Sequence, residues 1–267
     1  MNIRRLVTAD EAQILSFLNC KPLENIIPIG FLQANGLENP DNRGVFYGHF
    51  EDGCLTGVML VTGKVAMLHG SRDSATAFGA VASDNHGTEL RQVLGKEAIV
   101  KAFDDSFNRG ELRREPTEHL FWVNRFQEEV NEQSGAERFQ ELSAAEVMKS
   151  ISTGSEYAGL AESVRGRAAL GRVMVARDTE GIAFKADVVS ESEDGVYLES
   201  VWTRPDLRTN GFAKSAMKSL CRVLLNKYHA VCLFADTQNK RAMAFYRDAG
   251  FEPLSRFCLL KYHPVTE

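Results

Sequence analysis

Residues 196–251 read VYLESVWTRPDLRTNGFAKSAMKSLCRVLLNKYHAVCLFADTQNKRAMAFYRDAGF, and this stretch decides how the rest of the chain is read. Its opening, VYLESVWT (196–203), has strand composition and runs toward Pro205, which has no N–H for a ladder and so ends the pairing. Arg208-Thr209-Asn210-Gly211-Phe212-Ala213 then opens a helix, with Ala213, Met217, Leu220, Val223 and Leu224 apolar at helical spacing. A strand feeding a glycine turn and a helix start aims several unbonded backbone N–H groups, and the positive end of the helix dipole, at one point. That arrangement suits phosphate. Gly211 removes a Cβ where a pyrophosphate would lie against backbone, Ala213 keeps the first turn slim, and Arg208 and Lys214 add positive charge. The stretch is neither GxxxxGK[ST] nor GxGxxG, and RxxGxA taken alone fits an ordinary helix start equally well. Downstream, AVCLFAD (230–236) reads as a buried strand, followed by Asn239, Ala242, Tyr246 and Gly250-Phe251 in the order N-x-x-A-x-x-x-Y-x-x-x-G-F.

Upstream of this stretch, GRVMVARDTEGIAFKADVVSESEDGVYLESVWT reads as an antiparallel meander with turns at DTEG and EDG. A strand-like ERFQEL (137–142) and a capping box, Ser143-Ala-Ala-Glu146, precede it. The same order occurs earlier. Residues 2–7 read as a strand, Thr8-Ala-Asp-Glu11 as a capping box opening a helix to about Asn19, and 23–35 as a second helix. Residues 44–70 form a meander with EDG and TGK turns, then 75–83 a helix, 90–94 a strand, 95–108 a helix and 119–124 a strand. Gly53 and Gly181 are 128 residues apart, Gly63 and Gly195 132, so the pattern predicts a unit of about half the chain, duplicated. The polar segment 125–136 is the linker candidate, giving domains 1–134 and 135–267.

Composition narrows the function classes. The 267 residues carry 31 Lys+Arg against 36 Asp+Glu, a net charge of −5, which disfavours a nucleic-acid-binding face. With 44% hydrophobic and 25% charged residues the chain is globular, not disordered. The five cysteines form no CxxC and no Cys/His zinc spacing, so no metal is expected. No stretch of about 18 apolar residues and no signal-peptide core is present, which predicts a cytoplasmic protein without membrane contact.

Together, VWTRPDLRTNGFA and CLFADTQNKRAMAFYRDAGFEPL resemble the GNAT acyl-CoA N-acyltransferases, most closely the tandem type whose N-terminal half is a worn copy of the fold. The resemblance implies an α+β architecture: a mixed, mostly antiparallel sheet flanked by helices, duplicated. It implies that strands 196–203 and 230–236 splay apart, so that the pantetheine arm of acetyl-CoA bonds to Val201 and Thr203 like an added strand. Arg208, Thr209, Asn210, Gly211, Phe212, Ala213 and Lys214 would then hold the pyrophosphate. Tyr246 matches the family's helix tyrosine, the acid for the departing thiolate, against the plain alternative of a packing residue beside Phe245. Asn239 would hold the pantetheine arm or a bridging water, or simply cap its helix. The oxyanion donor would be the backbone N–H of Val201.

The base is open at this level. Many family members place a Glu eleven residues before the turn, where this chain has Tyr197. Glu199 lies two residues on, on the same face by period-2 alternation, and acts directly, through water, or not at all as a solvated edge residue. His229 and His263 lie outside the motifs, and Cys221, Cys232 and Cys258 sit in apolar runs. In the first half, HGSRDSATAFGA (69–80) lacks the turn motif, and aligning Phe103 with Phe245 puts Asp104 where Tyr246 stands. That half is expected to wall the acceptor pocket, or to bind a separate effector. The implied activity is acetyl or short-acyl transfer from acetyl-CoA to a primary amine of a small molecule or peptide. The alternatives are a non-catalytic acyl-CoA-binding sensor, or transfer to a hydroxyl or thiol.

Overall fold

The computed structural model describes residues 2–39, 44–86, 89–107, 112–125, 140–141 and 172–264. The expected linker, the Ser143 capping box and the 134/135 boundary lie outside the described residues. By contacts the chain divides into two units: residues 1–121, 235–240 and 254–267 form one, and 122–234 with 241–253 the other.

In the first unit the strands are β1 (Ile3–Arg5), β2 (Gly44–Glu51), β3 (Cys54–Thr62), β4 (Val65–Gly70), β5 (Gln92–Gly95) and β6 (Leu112–Asn124, through Phe121). The helices are α1 (Glu11–Leu18), α2 (Ile26–Asn35), α3 (Arg72–His86) and α4 (Glu97–Ser106). β2, β3 and β4 form the expected meander: Gly53 (φ 80) and Gly63 (φ 56) supply its turns. β4 and β5 run parallel through Val65↔Gln92, Ala66↔Val93 and Met67↔Leu94. The last strand of the chain, β12 (Glu252–Pro264), lies antiparallel to β5 through Cys258↔Gly95 and Leu260↔Val93. Apolar side chains cover both sheet faces: Phe78, Val93, Val100, Phe103 and Tyr262 in one cluster, Leu6, Ile14, Leu18, Phe46 and Leu60 in another. Phe46 and Phe121 are buried in the core.

Thr8 does not cap α1. Thr8–Asp10 form a 3-10 turn, in which Asp10 accepts the Val7 N–H at 2.9 Å and both Arg4 terminal nitrogens at 2.6 and 2.7 Å, while the Thr8 N–H donates to Glu38. A charge-assisted bidentate pair outcompetes a hydroxyl cap. α3 is also longer than expected, because Ser71 accepts the Ser74 N–H and starts the helix directly after β4.

The second unit repeats the order. β8 (Val173–Asp178), β9 (Gly181–Ser192) and β10 (Gly195–Thr203) form a meander, with the short β7 (Gln140–Glu141) against β8. Then come α5 (Phe212–Leu225), β11 (Val231–Asp236) and α6 (Lys240–Asp248), and the strand order is β11-β10-β9-β8-β7. This mixed, mostly antiparallel α+β arrangement is the expected fold. On α5 the buried stripe is Ala216, Met217, Leu220, Cys221 and Leu224. Val223, counted as apolar-facing in the sequence, is 43% exposed, since at 100° per residue it falls off the stripe.

Candidate active site

β10 and β11 share only two registered pairs, Val196↔Val231 and Tyr197↔Cys232. Beyond Tyr197, β10 is irregular against β9 in two places, after Tyr197 and between Glu199 and Trp202, and Ser200 at the second takes φ 51. Such bulges bend and twist a strand. The parted strands expected from the sequence are therefore present, with Val201 and Thr203 half-buried on the diverging segment.

The turn after β10 is anchored before it reaches the helix. Arg204 grips Asp178 at 2.9 and 2.6 Å and Asp206 at 2.7 Å, and its N–H donates to Ala183. These bonds hold its guanidinium charged far above any physiological pH and fix the 3-10 turn Pro205–Leu207 against the β8–β9 hairpin. The Arg208 Nε donates to the Thr203 carbonyl at 2.8 Å, so part of its donor set ties the turn to the strand. Thr209 (φ 77) and Gly211 (φ 87) both take left-handed backbone. Asn210 accepts the Phe212 N–H at 3.0 Å, which caps one amide of the helix start. The first intrahelical bond is Ser215 N–H to Gly211 O, leaving the Ala213 and Lys214 amides directed out of the N-terminus. Nothing in the protein lies within 4 Å of where a Gly211 side chain would begin. Left-handed glycine, outward amides and the exposed Lys214 form a cradle of the kind that fits a pyrophosphate.

The side chains expected to act converge beside the parted strands. Tyr246, on α6, is half-buried between Phe245 and Phe251, with ring centroids 5.1 and 5.8 Å away, and burial pushes its phenol up to about 12. Tyr197, fully buried, donates its hydroxyl to Glu199 and lies near enough to Tyr246 to feel it electrostatically; desolvation, then Glu199, raises its own ionisation well above the usual phenol range. The alternation argument thus holds: Glu199 and Tyr197 share a face and touch. Asn239 belongs to the 235–240 stretch of the other unit, where it is exposed, donates its N–H to Asp236 O at 3.0 Å and directly precedes α6.

Two residues escaped the sequence reading. Lys185 and Asp187 on β9 are 0% and 1% exposed at their side chains and form an ion pair with each other. Asp187 stands opposite Glu199 and Lys185 opposite Trp202 in the β9–β10 register, so the pair shares the face of Glu199. The signal was two charges two apart inside the otherwise apolar AFKADVV. Burial raises the Cys221 and Cys232 thiols, the latter to about 12, so neither is a thiolate at neutral pH. His229 is exposed and His263 pairs with Glu115 at 3.1 Å. Among the described residues no group of three or more His, Cys, Asp or Glu is placed to hold a metal ion, and no helix is long and apolar enough to cross a membrane.

The sequence model of the acetyltransferase (GNAT) family matches residues 123–251. No curated protein matches the chain. Solved structures share its fold over nearly the whole length: a Drosophila protein (TM-score 0.69, 12% identity, 99% of both chains), a tandem GNAT protein from the clavulanic acid biosynthesis pathway (0.60, 13%, 99% of both), and a GCN5-related N-acetyltransferase from Sphaerobacter thermophilus (0.57, 15%, 99% of this chain and 96% of that one). Residues 123–251, which carry the parted strands, the Gly211 turn and Tyr246, belong to the acetyltransferase (GNAT) family.

Proposed function

We propose that the protein moves an acetyl or other short acyl group from acetyl-CoA to a primary amine of a small molecule or peptide, by direct attack in a ternary complex. The observation that carries this reading is the hydrogen bond of Tyr197 to Glu199 at the parted ends of β10 and β11, with the buried Tyr246 near enough to raise the Tyr197 ionisation, in the unit that also carries the open Gly211 turn. Acetyl-CoA supplies the thioester. Gly211, Ala213 and Lys214 bind its pyrophosphate, with Thr209, Asn210 and Phe212 shaping the turn and Arg208 bracing it, and the backbone of Val201 and Thr203 receives the pantetheine arm. Asn239 supports that arm or caps its helix.

Tyr246 keeps its proton at neutral pH because burial opposes the phenolate, which suits it to give that proton to the leaving sulfur. Glu199 takes the proton of the attacking ammonium, directly or through water, with Tyr197 orienting its carboxylate. The Val201 N–H is the oxyanion donor. The decisive experiment is calorimetric titration with acetyl-CoA of wild type and Gly211→Glu, followed by an amine screen reading thiol release. Binding lost in the variant, and turnover that Tyr246→Phe abolishes without loss of binding, support an enzyme. Binding without turnover over the whole amine set supports an acyl-CoA sensor instead, and no binding to wild type refutes both.

A further inference from the structure

The first unit has its own cavity, of about 240 Å³, beyond the last paired residues of β4 and β5, Met67 and Leu94. Its apolar walls come from four elements: Phe17 of α1, Leu68 of β4, Ile99 of α4 and Phe257 of β12. His69 also lines it. The His69 ring makes no hydrogen bond to any described residue and its Nε2 is sealed from solvent, although buried polar atoms are almost always partnered. Burial lowers this imidazole to about 4, so at neutral pH it is uncharged and presents one N–H and one lone pair.

Charge at the cavity is unbalanced. The Lys96 ammonium stands 3.0 Å from Glu24 and over the Phe257 ring at 4.1 Å, and Lys21 approaches the same Glu24 oxygen at 4.0 Å. Two cations share one carboxylate, so the lining carries one positive charge in excess. An apolar cavity of about 150 Å³ admits benzene, and by proportion this one takes roughly ten non-hydrogen atoms.

We propose that this cavity is a second ligand site, separate from the Gly211 turn, and that it takes a small monocarboxylate with an apolar, aromatic-sized body. The carboxylate answers the excess ammonium charge of Lys21 and Lys96, and the body lies against Phe17, Leu68 and Ile99, beside the uncharged His69 ring. An acyl-CoA is the wrong occupant on the geometry shown. A single residue, Ser71, separates the neighbouring β4 from α3, no glycine turn stands between them, and the Ser74 amide at the helix start is already capped by Ser71. Coenzyme phosphates therefore lack the outward amides that the Gly211 turn offers.

The test is calorimetric titration of the full chain at pH 7 with phenylacetate, which has ten non-hydrogen atoms, against phenethylamine and acetyl-CoA. The expected result is phenylacetate binding with a Kd of about 1 mM or tighter, no comparable phenethylamine binding, and no competition from acetyl-CoA. Lys96→Met should weaken phenylacetate at least about tenfold, the weight of one hydrogen bond to a charged group. Because Lys96→Met also strips Glu24 of a partner, Cys20→Trp, which fills the mouth from an exposed position, serves as the second variant and should block binding with the fold intact. Gly211→Glu should leave phenylacetate untouched, which separates this site from the acetyl-CoA reading. The proposal is overturned if phenylacetate fails to bind, if phenethylamine binds as well, if acetyl-CoA displaces phenylacetate competitively, or if binding survives Cys20→Trp.

Discussion

The two units join a third meander strand to its helix in different ways, and the difference leaves an open glycine turn in one and a closed junction in the other. Between β4 and α3 stands Ser71 alone, and the glycine before it, Gly70 (φ 131), is packed against backbone: a side chain there would meet Gly57 Cα and Thr56 O at 2.6 Å. Between β10 and α5 run the eight residues Arg204–Gly211, and the glycine that ends them faces open space. The partner position on the next helix differs likewise. Asp104 of α4 is consumed by Arg114, at 2.9 Å to both carboxylate oxygens, and by the Tyr262 hydroxyl at 3.0 Å, whereas Tyr246 of α6 packs between Phe245 and Phe251, near enough to Tyr197 to raise its ionisation. The same order of elements thus closes on itself by packing in one unit and leaves outward backbone donors and a protonated phenol in the other.

The contrast breaks most sharply at Tyr246. Tyr246→Phe should lower kcat by about a hundredfold or more, with acetyl-CoA affinity nearly unchanged, while Asp104→Asn should leave turnover intact; steady-state kinetics and calorimetry read both. If the Asp104 variant loses turnover as well, the first unit is not a scaffold for the reaction. Next in size is Lys185→Met, which strands Asp187 in the interior and should cost about 3–5 kcal/mol in urea unfolding, with much of it restored by Lys185→Met/Asp187→Leu. The glycines sharpen the comparison further. Both Gly70→Ala and Gly211→Ala carry roughly 1–2 kcal/mol of left-handed strain, but only Gly70→Ala adds about 1–3 kcal/mol of collision, so its denaturation midpoint should fall further. For Gly211→Ala the larger loss should be acetyl-CoA affinity.

The smallest effect is at Asp10. Arg4, above all, holds its carboxyl at about 2, below the ordinary value of 3.8, so this pair stabilises the fold fully above pH 4. That contribution is lost as pH falls from 4 to 2, because the unfolded chain takes up the proton first. Asp10→Asn should flatten this limb of a stability–pH curve and leave the neutral-pH chemistry alone.

Much of the fold was legible because its determinants are local. The meanders carry their turns as EDG, TGK and DTEG, and the strand–glycine–helix order of 196–225 follows from Pro205, Gly211 and helical spacing. What escaped was set by partners distant in sequence or by competition among caps. Thr8 offered a cap, but Arg4 and Asp10 made a stronger one. The hold of the Arg208 Nε on the Thr203 carbonyl was likewise out of reach of spacing along the chain. Lys185 and Asp187 went unread, because only burial in the folded chain sets them in the interior as a pair.

The sequence by itself determined the order of strands and helices and the place of the glycine turn, since each rests on turn chemistry and spacing along one segment. Only the tertiary structure decided that β12 would pair with β5, that Tyr197 would hold Glu199 beside Tyr246, and that a His69-lined cavity would open in the first unit. Those features depend on which side chains from separate elements are excluded from water together, and hydrogen bonding, ionisation and cavity shape follow from that shared burial.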